Sequence, residues 1–244
     1  MEWREREGVR WLEAELPGAR AAFSTRVGGV SEAPFDALNV GVLTGDEPDR
    51  VGENRRRLAD SIERDPEGVV MGRQVHGTEI RRHDAPQEPR VYADGARSPE
   101  EVDAHSTSNA ALTPLVMVAD CLPVAMVGPG GVAMAHCGWR GLAGGIVAGT
   151  AEAVAAEAAA IGPGIGPCCY EVGEEVLSAF ADLDGVARGR MLDLTAVATA
   201  LLERAGVDTI EPSGLCTSCN RELFYSYRRD GKRTGRQAGL VWMV

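Results

Sequence analysis

Apolar positions along the chain fall into short blocks of two different periods, and the blocks interleave. Runs rich in valine, leucine and isoleucine, bounded by turn formers, predict strands at Val69 to Val75, Leu115 to Val118, Val124 to Val127, Val132 to Ala135, Thr209 to Ile210 and Gly239 to Val244. Helical spacing predicts a helix over Val51 to Arg64, preceded by Pro48-Asp49, with Asp49 as cap and Val51, Leu58 and Ile62 on one face. The alanine-rich stretch Gly145 to Ala160 reads as a second helix, stopped at Gly162-Pro163, and Glu171 to Phe180 and Leu194 to Ala205 as two more. The Pro/Asp/Gly-rich stretch Asp84 to Pro99 predicts a long surface loop. Interleaved strands and helices with short apolar runs define a mixed α/β or α+β class. The chain shows no internal repeat, low-complexity tract or linker, and its 244 residues suit one large domain or at most two small ones.

Composition changes this picture little, with 44% hydrophobic and 25% charged residues, as in ordinary globular proteins. Charge changes it more. A formal net charge of −11 argues against a general nucleic-acid binder, whose phosphate contacts need a basic surface, yet leaves room for a local basic pocket that holds one small phosphate. Lys232 is the sole lysine, so nearly all cationic groups are arginines, which pair with phosphate in bidentate fashion. Met1 to Arg10 is charged and lacks the apolar core of a secretory signal, and the most apolar long stretch, Ile146 to Ile161, is interrupted by Glu152 and Glu157. A cytoplasmic protein that does not span a membrane, with its six cysteines reduced, is therefore expected.

Three segments each carry one metal-grade ligand: Gln74-Val75-His76-Gly77, Ala119-Asp120-Cys121-Leu122-Pro123 and Ala135-His136-Cys137-Gly138-Trp139-Arg140-Gly141. Taken singly, His76 reads as readily as a satisfied polar residue, and Cys121 as a small buried hydrophobe. His136 is the stronger signal, because its segment packs a ligand, an aromatic, a cation and two glycines into six positions. Together His76, Cys121 and His136 offer two imidazoles and one thiolate, the ligand count of a catalytic zinc, whereas a structural zinc closes its shell with four. Pro123 is expected to interrupt the ladder and push Cys121 onto irregular backbone. Strand ends and loops are where sites lie in such folds. His83 and His105 read as surface residues.

Other motifs have plain alternatives. The glycine-rich Gly162 to Pro167, ahead of Cys168-Cys169-Tyr170-Glu171, can present backbone N–H groups to an anion, or be a stiff turn. Cys216-Thr217-Ser218-Cys219 is a lone C-x-x-C without a second such pair, and Cys168-Cys169 has no metal-like spacing, so neither is expected to bind metal. The cluster Phe224 to Gly231 with Thr234-Gly235-Arg236 could stack a base and pair a phosphate, or simply pack in a core.

In order, Gln74 to Gly77, Thr113-Pro114 through Cys121, Ala135 to Gly141, Ile161 to Tyr170 and Phe224 to Arg236 resemble the signature segments of the YfiH/YlmD laccase-domain family. Leu38-Asn39-Val40-Gly41 through Gly45-Asp46, and Asn54-Arg55, are similar as well, so the resemblance spans nearly the whole chain. It implies a single-domain α-β-β-α layered sandwich over residues 1–244, related to the bacterial toxin deamidases. It also implies a zinc site at His76, Cys121 and His136, with copper as the alternative metal. Two departures are visible: Cys137 stands where alanine is usual, and could complicate metal selectivity, and His105 stands where an aliphatic residue is common.

The resemblance implies a zinc-dependent purine nucleoside enzyme. The expected chemistry is phosphorolysis of adenosine, inosine and methylthioadenosine to base and ribose 1-phosphate, and deamination of adenosine. Its expected partners are a purine nucleoside and phosphate. On this reading Cys121 and Asp120 belong to the catalytic group, with Asp120 as proton-transfer partner. Arg140 and Arg55 are the candidates for phosphate, and Asn39 and Gln74 for the nucleoside. Three other functions compete. A copper-dependent polyphenol oxidase is disfavoured because a laccase needs a histidine-rich trinuclear cluster and the chain has four histidines. A cysteine-type hydrolase or amidase of peptidoglycan precursors would use Cys121 as nucleophile, in competition with a bound metal. A non-catalytic zinc protein sits poorly with an open three-ligand set.

Overall fold

The computed structural model describes residues 1–95 and 100–244. The chain opens on three strands that the apolar runs do not signal: β1 (Glu2–Arg6), β2 (Val9–Leu16) and β3 (Ala19–Ser24). Next come α1 (Pro48–Ser61), β4 (Val69–Val70), β5 (Ile80–Arg82), β6 (Ala104–Thr107) and β7 (Thr113–Val118). The middle of the chain forms β8 (Leu122–Gly128), β9 (Gly131–Cys137), α2 (Trp139–Gly144), α3 (Ile146–Val154) and β10 (Ala158–Ile161). The remainder forms α4 (Glu174–Ser178), β11 (Ala187–Arg188), β12 (Met191–Leu192), α5 (Leu194–Arg204), β13 (Thr209–Pro212), α6 (Tyr227–Asp230) and β14 (Gln237–Met243).

Two six-stranded sheets result, in the orders β1-β2-β3-β14-β7-β4 and β13-β10-β8-β9-β6-β5, and β11 and β12 pair apart from them. Alternation of side chains along each strand gives every sheet two faces. The inner faces meet in one apolar cluster that includes Leu12, Phe23, Val116 and Val241 from the first sheet and Ala125, Val127, Met134 and Ala160 from the second. The outer face of the first sheet is covered by Leu58, Ala59 and Ile62 of α1 and its end, with Leu38, Val40 and Tyr92. The outer face of the second packs Leu142, Ile146, Val147, Ala198 and Leu202, from α2, α3 and α5. The layering is thus helix, sheet, sheet, helix, in agreement with the mixed α/β class read from the chain.

Helix α1 starts with Pro48 at its first turn, and Glu47 rather than Asp49 occupies the cap position. Its inward stripe, Val51, Asn54, Arg55 and Leu58, follows helical spacing but contains two polar side chains. Asn54 binds the carbonyls of Ala37 and Asn39 and accepts from the Val30 N–H, so it anchors the long loop between β3 and α1.

The alanine-rich stretch splits, which corrects the single helix expected there. Helix α3 ends at Ala155, whose φ is 48°, and residues 158–161 then pair with β8 on one side and β13 on the other. Alanine favours helix in isolation, but here its small side chains fit the interior, Ala158 and Ala160 between the sheets and Ala159 under the helices. Pro123 is a second correction, since it lies inside β8, paired with His136, and the ladder continues through it. The irregular backbone falls just before, where Asp120 has φ of 92°. Residues 84–95 form the expected loop, and 96–99 lie outside the described residues.

Candidate metal centre

The three predicted ligands converge at one end of the sandwich, where β7 of the first sheet hands the chain to β8 of the second. His76, Cys121 and His136 place their ligand atoms within 4.8 Å of one another. The two imidazoles meet edge to face, with centroids 4.8 Å apart. His136 rides near the end of β9, and Cys121 on the turn before β8.

His76 is positioned by a carboxylate. The run Val69 to Val75, expected as one strand, keeps β pairing at Val69–Val70. Beyond it the backbone wraps Asp103, whose oxygens accept from the N–H groups of Val75 (3.0 Å), His76 (3.0 Å) and Gly77 (2.8 Å). Three successive N–H groups around one anion form a nest, and His76 takes a left-handed φ of 62° within it. The same carboxylate bonds His136 Nδ1 at 2.8 Å. Burial opposes ionisation of Asp103, but the His136 bond and the backbone donors outweigh it and hold the carboxyl at about 2. An ionised Asp103 requires His136 Nδ1 to donate, which leaves Nε2 as the ligand nitrogen beside Cys121. A carboxylate behind a ligating imidazole is the usual device for fixing ring orientation and tautomer.

Asp103 was not among the residues singled out from the chain, and it lies 0% exposed between two ligand segments. The only sequence signal is an acid entering an otherwise buried strand, β6, and many surface acids share that look.

Gly138 completes the cradle. A Cβ there would sit 2.9 Å from His76 Cδ2 and 3.0 Å from Cys121 Sγ, so any side chain would enter the space among the ligands. Without metal, burial raises the Cys121 thiol, but the neighbouring His136 pulls it well below its ordinary value. Burial likewise lowers His136, and the Cys121 thiolate with Asp103 pushes it up instead. A divalent cation can replace the proton shared by such a pair. Donor chemistry, carboxylate-backed imidazole and cleared space together fit zinc, which accepts imidazole and thiolate alike.

Cys137 faces the other way. Strand alternation puts it in the core beneath α2, where burial pushes its thiol up, and it stands outside the converging set of His76, Cys121 and His136. His83 and His105 are corrected too, being 7% and 1% exposed, with Nε2 of one 3.0 Å from Nδ1 of the other.

The ligands open into a cavity of about 670 Å³ lined by Arg55, Gln74, Asp120, Trp139, Arg140, Tyr170, Tyr227, Arg228 and Arg236, among others. That volume suits a small organic substrate. Arg140 stacks on Trp139 at 4.3 Å and has no carboxylate partner among the described residues. Arg55 is buried, gives Nε to the Val40 carbonyl and Nη1 to those of Val91 and Tyr92, and leaves the buried Nη2 without a partner among the described residues. Gln74 lines the wall, but both ends of its amide bond the Met117 backbone. Asp120 accepts from Thr217 Oγ1 and the Arg228 N–H, each at 2.6 Å. Asn39 does not line the cavity. It is fully buried, and its amide ties Thr44, Asp46, Gly41 and the Arg236 N–H together, so it shapes a loop. Of the aromatic cluster, Phe224 and Tyr225 are core residues, whereas Tyr227 reaches the cavity.

An α/β sandwich in which two histidines and one cysteine converge on an arginine-lined cavity is the framework of a metal-binding enzyme. Residues 20–244 match the family described as multi-copper polyphenol oxidoreductase laccase, and the chain belongs to that family. It is 38% identical to a purine nucleoside phosphorylase of Pseudomonas aeruginosa over 96% of this chain and 98% of that relative. It is 39% identical to the purine nucleoside phosphorylase YfiH of Escherichia coli, covering 93% and 95% of the two chains. Among solved structures, YlmD from Geobacillus stearothermophilus superposes with a TM-score of 0.87 at 35% identity, covering 98% of this chain and 97% of that one. YfiH of Bacillus licheniformis gives 0.87 at 31% identity, covering 99% of both. No helix among the described residues is long and apolar enough to cross a membrane.

Proposed function

We propose that the chain is a zinc-dependent purine nucleoside phosphorylase that also deaminates adenosine. The observation that carries the reading is the convergence of His76, Cys121 and His136 at the floor of a cavity walled by arginines and aromatics. The relatives' names supply the substrate class. Zinc held by the three ligands would act as a Lewis acid and lower the pKa of water there to about 7, the chemistry that deamination of a purine C6 requires.

For phosphorolysis, a phosphate oxygen attacks C1′ of the ribose as the bond to the base breaks, and positive charge builds on the sugar. Arg140, which has no carboxylate partner among the described residues, is the group that would hold phosphate there, and Arg55, buried at the cavity wall, would add positive charge. Trp139, Tyr170 and Tyr227 offer ring faces against which a purine can stack. The Asp120 carboxylate remains the candidate for proton transfer beside Cys121. Its two hydrogen bonds hold it in place for that role. Gln74 acts on the nucleoside by shaping the wall.

Copper oxidase chemistry is not supported, because two of the four histidines are buried against each other and no trinuclear set remains. One observation favours a second reading: the metal-free Cys121–His136 pair is polarised toward thiolate and imidazolium, as in cysteine hydrolases. Metal removal separates the two. With inosine or adenosine as substrate, phosphate-dependent release of base should vanish in His76→Ala and Cys121→Ala and after chelation. Nucleosides left intact by protein holding zinc at His76, Cys121 and His136 would overturn the proposal. Activity that survives chelation but not thiol alkylation would favour the hydrolase.

A further inference from the structure

Four further cysteines, which sequence spacing alone leaves unrelated, meet between the loops that follow β10 and β13. Cys168 and Cys169 follow the glycine-rich loop after β10, and Cys216 and Cys219 lie after β13. A β-bridge between Gly164 and Cys216 brings the two loops side by side, with the Thr217 N–H bonding the Gly164 carbonyl at 2.9 Å. The four sulfurs all lie within 4.8 Å of one another, and Cys219 Sγ is 3.4 Å from both Cys168 Sγ and Cys169 Sγ.

We propose that Cys168, Cys169, Cys216 and Cys219 form a second, structural metal site, a mononuclear zinc tetrathiolate that locks these two loops together. Zinc–sulfur bonds of about 2.3 Å in a tetrahedron set sulfur–sulfur edges of roughly 3.8 Å. The observed separations bracket that edge. They are too long for a disulfide, whose sulfurs lie about 2.05 Å apart. A polynuclear iron–sulfur cluster spreads its thiolates over different irons and needs a wider cage. An all-thiolate set selects a thiophilic ion. Four coordinating cysteines close the shell, in contrast to the open three-ligand centre.

The surroundings suit the negative charge of such a site. The Gly166 N–H points at Cys216 Sγ at 3.2 Å. Arg228 binds the carbonyls of Cys169 and Glu171, and Arg229 those of Thr217 and Ser218, which places two guanidinium groups on the backbone that carries the ligands. The loops so locked also serve the first centre. Thr217, between the two C-x-x-C cysteines, donates to Asp120, and the Ile165 N–H bonds the Asp120 carbonyl at 2.7 Å. Ile165, Tyr170 and Arg228 line the cavity. The second zinc is therefore a brace for Asp120 and for one wall of the cavity, and does not touch the reacting atoms.

The test is metal content per chain, measured by elemental analysis on reduced, desalted protein. Wild type should hold two zinc ions, the double variant Cys168→Ser/Cys219→Ser one, and His76→Ala/His136→Ala one. Cobalt loaded into His76→Ala/His136→Ala should show the intense thiolate charge-transfer and red ligand-field bands of a tetrathiolate, which decides the matter even if the serine variant does not fold. A single zinc in wild type that disappears with the two histidines would overturn the inference. So would a disulfide among the four cysteines in protein alkylated at lysis, or a cobalt spectrum without tetrathiolate bands. One zinc lost with the cysteines but kept without the histidines would instead sustain this site and remove the other.

Discussion

Asp103→Asn is the sharpest perturbation of the centre, because it removes charge from the group behind two ligands while keeping its shape. The carboxylate accepts four hydrogen bonds, from the N–H groups of Val75, His76 and Gly77 and from His136 Nδ1. An asparagine offers one carbonyl oxygen and one amide nitrogen. If the oxygen replaces Oδ1 toward His76 and His136, the amide must face the Val75 and Gly77 donors. Two hydrogen bonds to a charged acceptor are then lost, at about 1.5 kcal/mol each, or ~3 kcal/mol in all. For a domain of this size each kcal/mol lowers Tm by about 2–4 °C, so the metal-free variant should melt roughly 6–12 °C below metal-free wild type. Loss of the carboxylate behind a ligating histidine weakens metal binding by about 10–100-fold. Scanning calorimetry in chelator reads the first effect, and competition for zinc against a chromophoric chelator at pH 7.5 reads the second. Unchanged melting together with unchanged zinc affinity would refute the claim that Asp103 positions His76 and His136.

Three other outcomes follow from the same geometry. Gly138→Ala should fold normally, since Gly138 has an ordinary φ of −83°, yet lose at least about tenfold in zinc affinity, because its Cβ would meet His76 and Cys121; zinc competition checks this. Arg140→Ala should raise KM for phosphate by about 10–100-fold, the worth of one or two charge-assisted hydrogen bonds, and leave adenosine deamination unchanged; initial rates at varied phosphate decide it. The buried His83–His105 pair makes the fold acid-sensitive. Burial lowers His83 to about 4 and His105 to about 3, from 6.5, so the unfolded chain binds protons that the folded chain refuses. Their stability contribution is complete above pH 6.5 and is lost as pH falls toward 4, about 2 kcal/mol for each independent imidazole by pH 5. Urea unfolding of wild type and His105→Leu at pH 7.5 and 5.0, in chelator, should show a smaller pH effect in the variant, and an equal effect would contradict it.

The centre was legible in the chain one ligand at a time. Cys121 and His136 stand beside turn-forming residues at strand ends, and His76 within a short motif, so their residue types in those settings point to metal. Their shared carboxylate did not stand out, because Asp103 is remote in sequence from His76 and His136 and acquires meaning when β6 and β9 pair. Asn39 and Arg55 look like substrate contacts in a sequence, but burial turns the first into a loop brace and spends most of the second's donors on carbonyls. The helix predicted over Ala158 to Ala160 fails for a related reason: local propensity favours helix, and the space between two sheets demands small side chains in strands. The four outer cysteines stayed unrelated because adjacent cysteines have no familiar ligand spacing, and what joins them is the bridge from Gly164 to Cys216. Strand β1 is exposed at every position, with no apolar period to read.

The central proposal is that this cavity, with a metal held by His76, Cys121 and His136, transfers ribose from a purine base to phosphate. Phosphorus NMR of zinc-loaded protein with inosine and inorganic phosphate tests it directly. A ribose 1-phosphate resonance should grow in step with hypoxanthine release, one for one, and should be absent from Cys121→Ala. Hypoxanthine appearing without loss of inorganic phosphate, or no turnover from protein shown to hold zinc at His76, Cys121 and His136, would contradict the account.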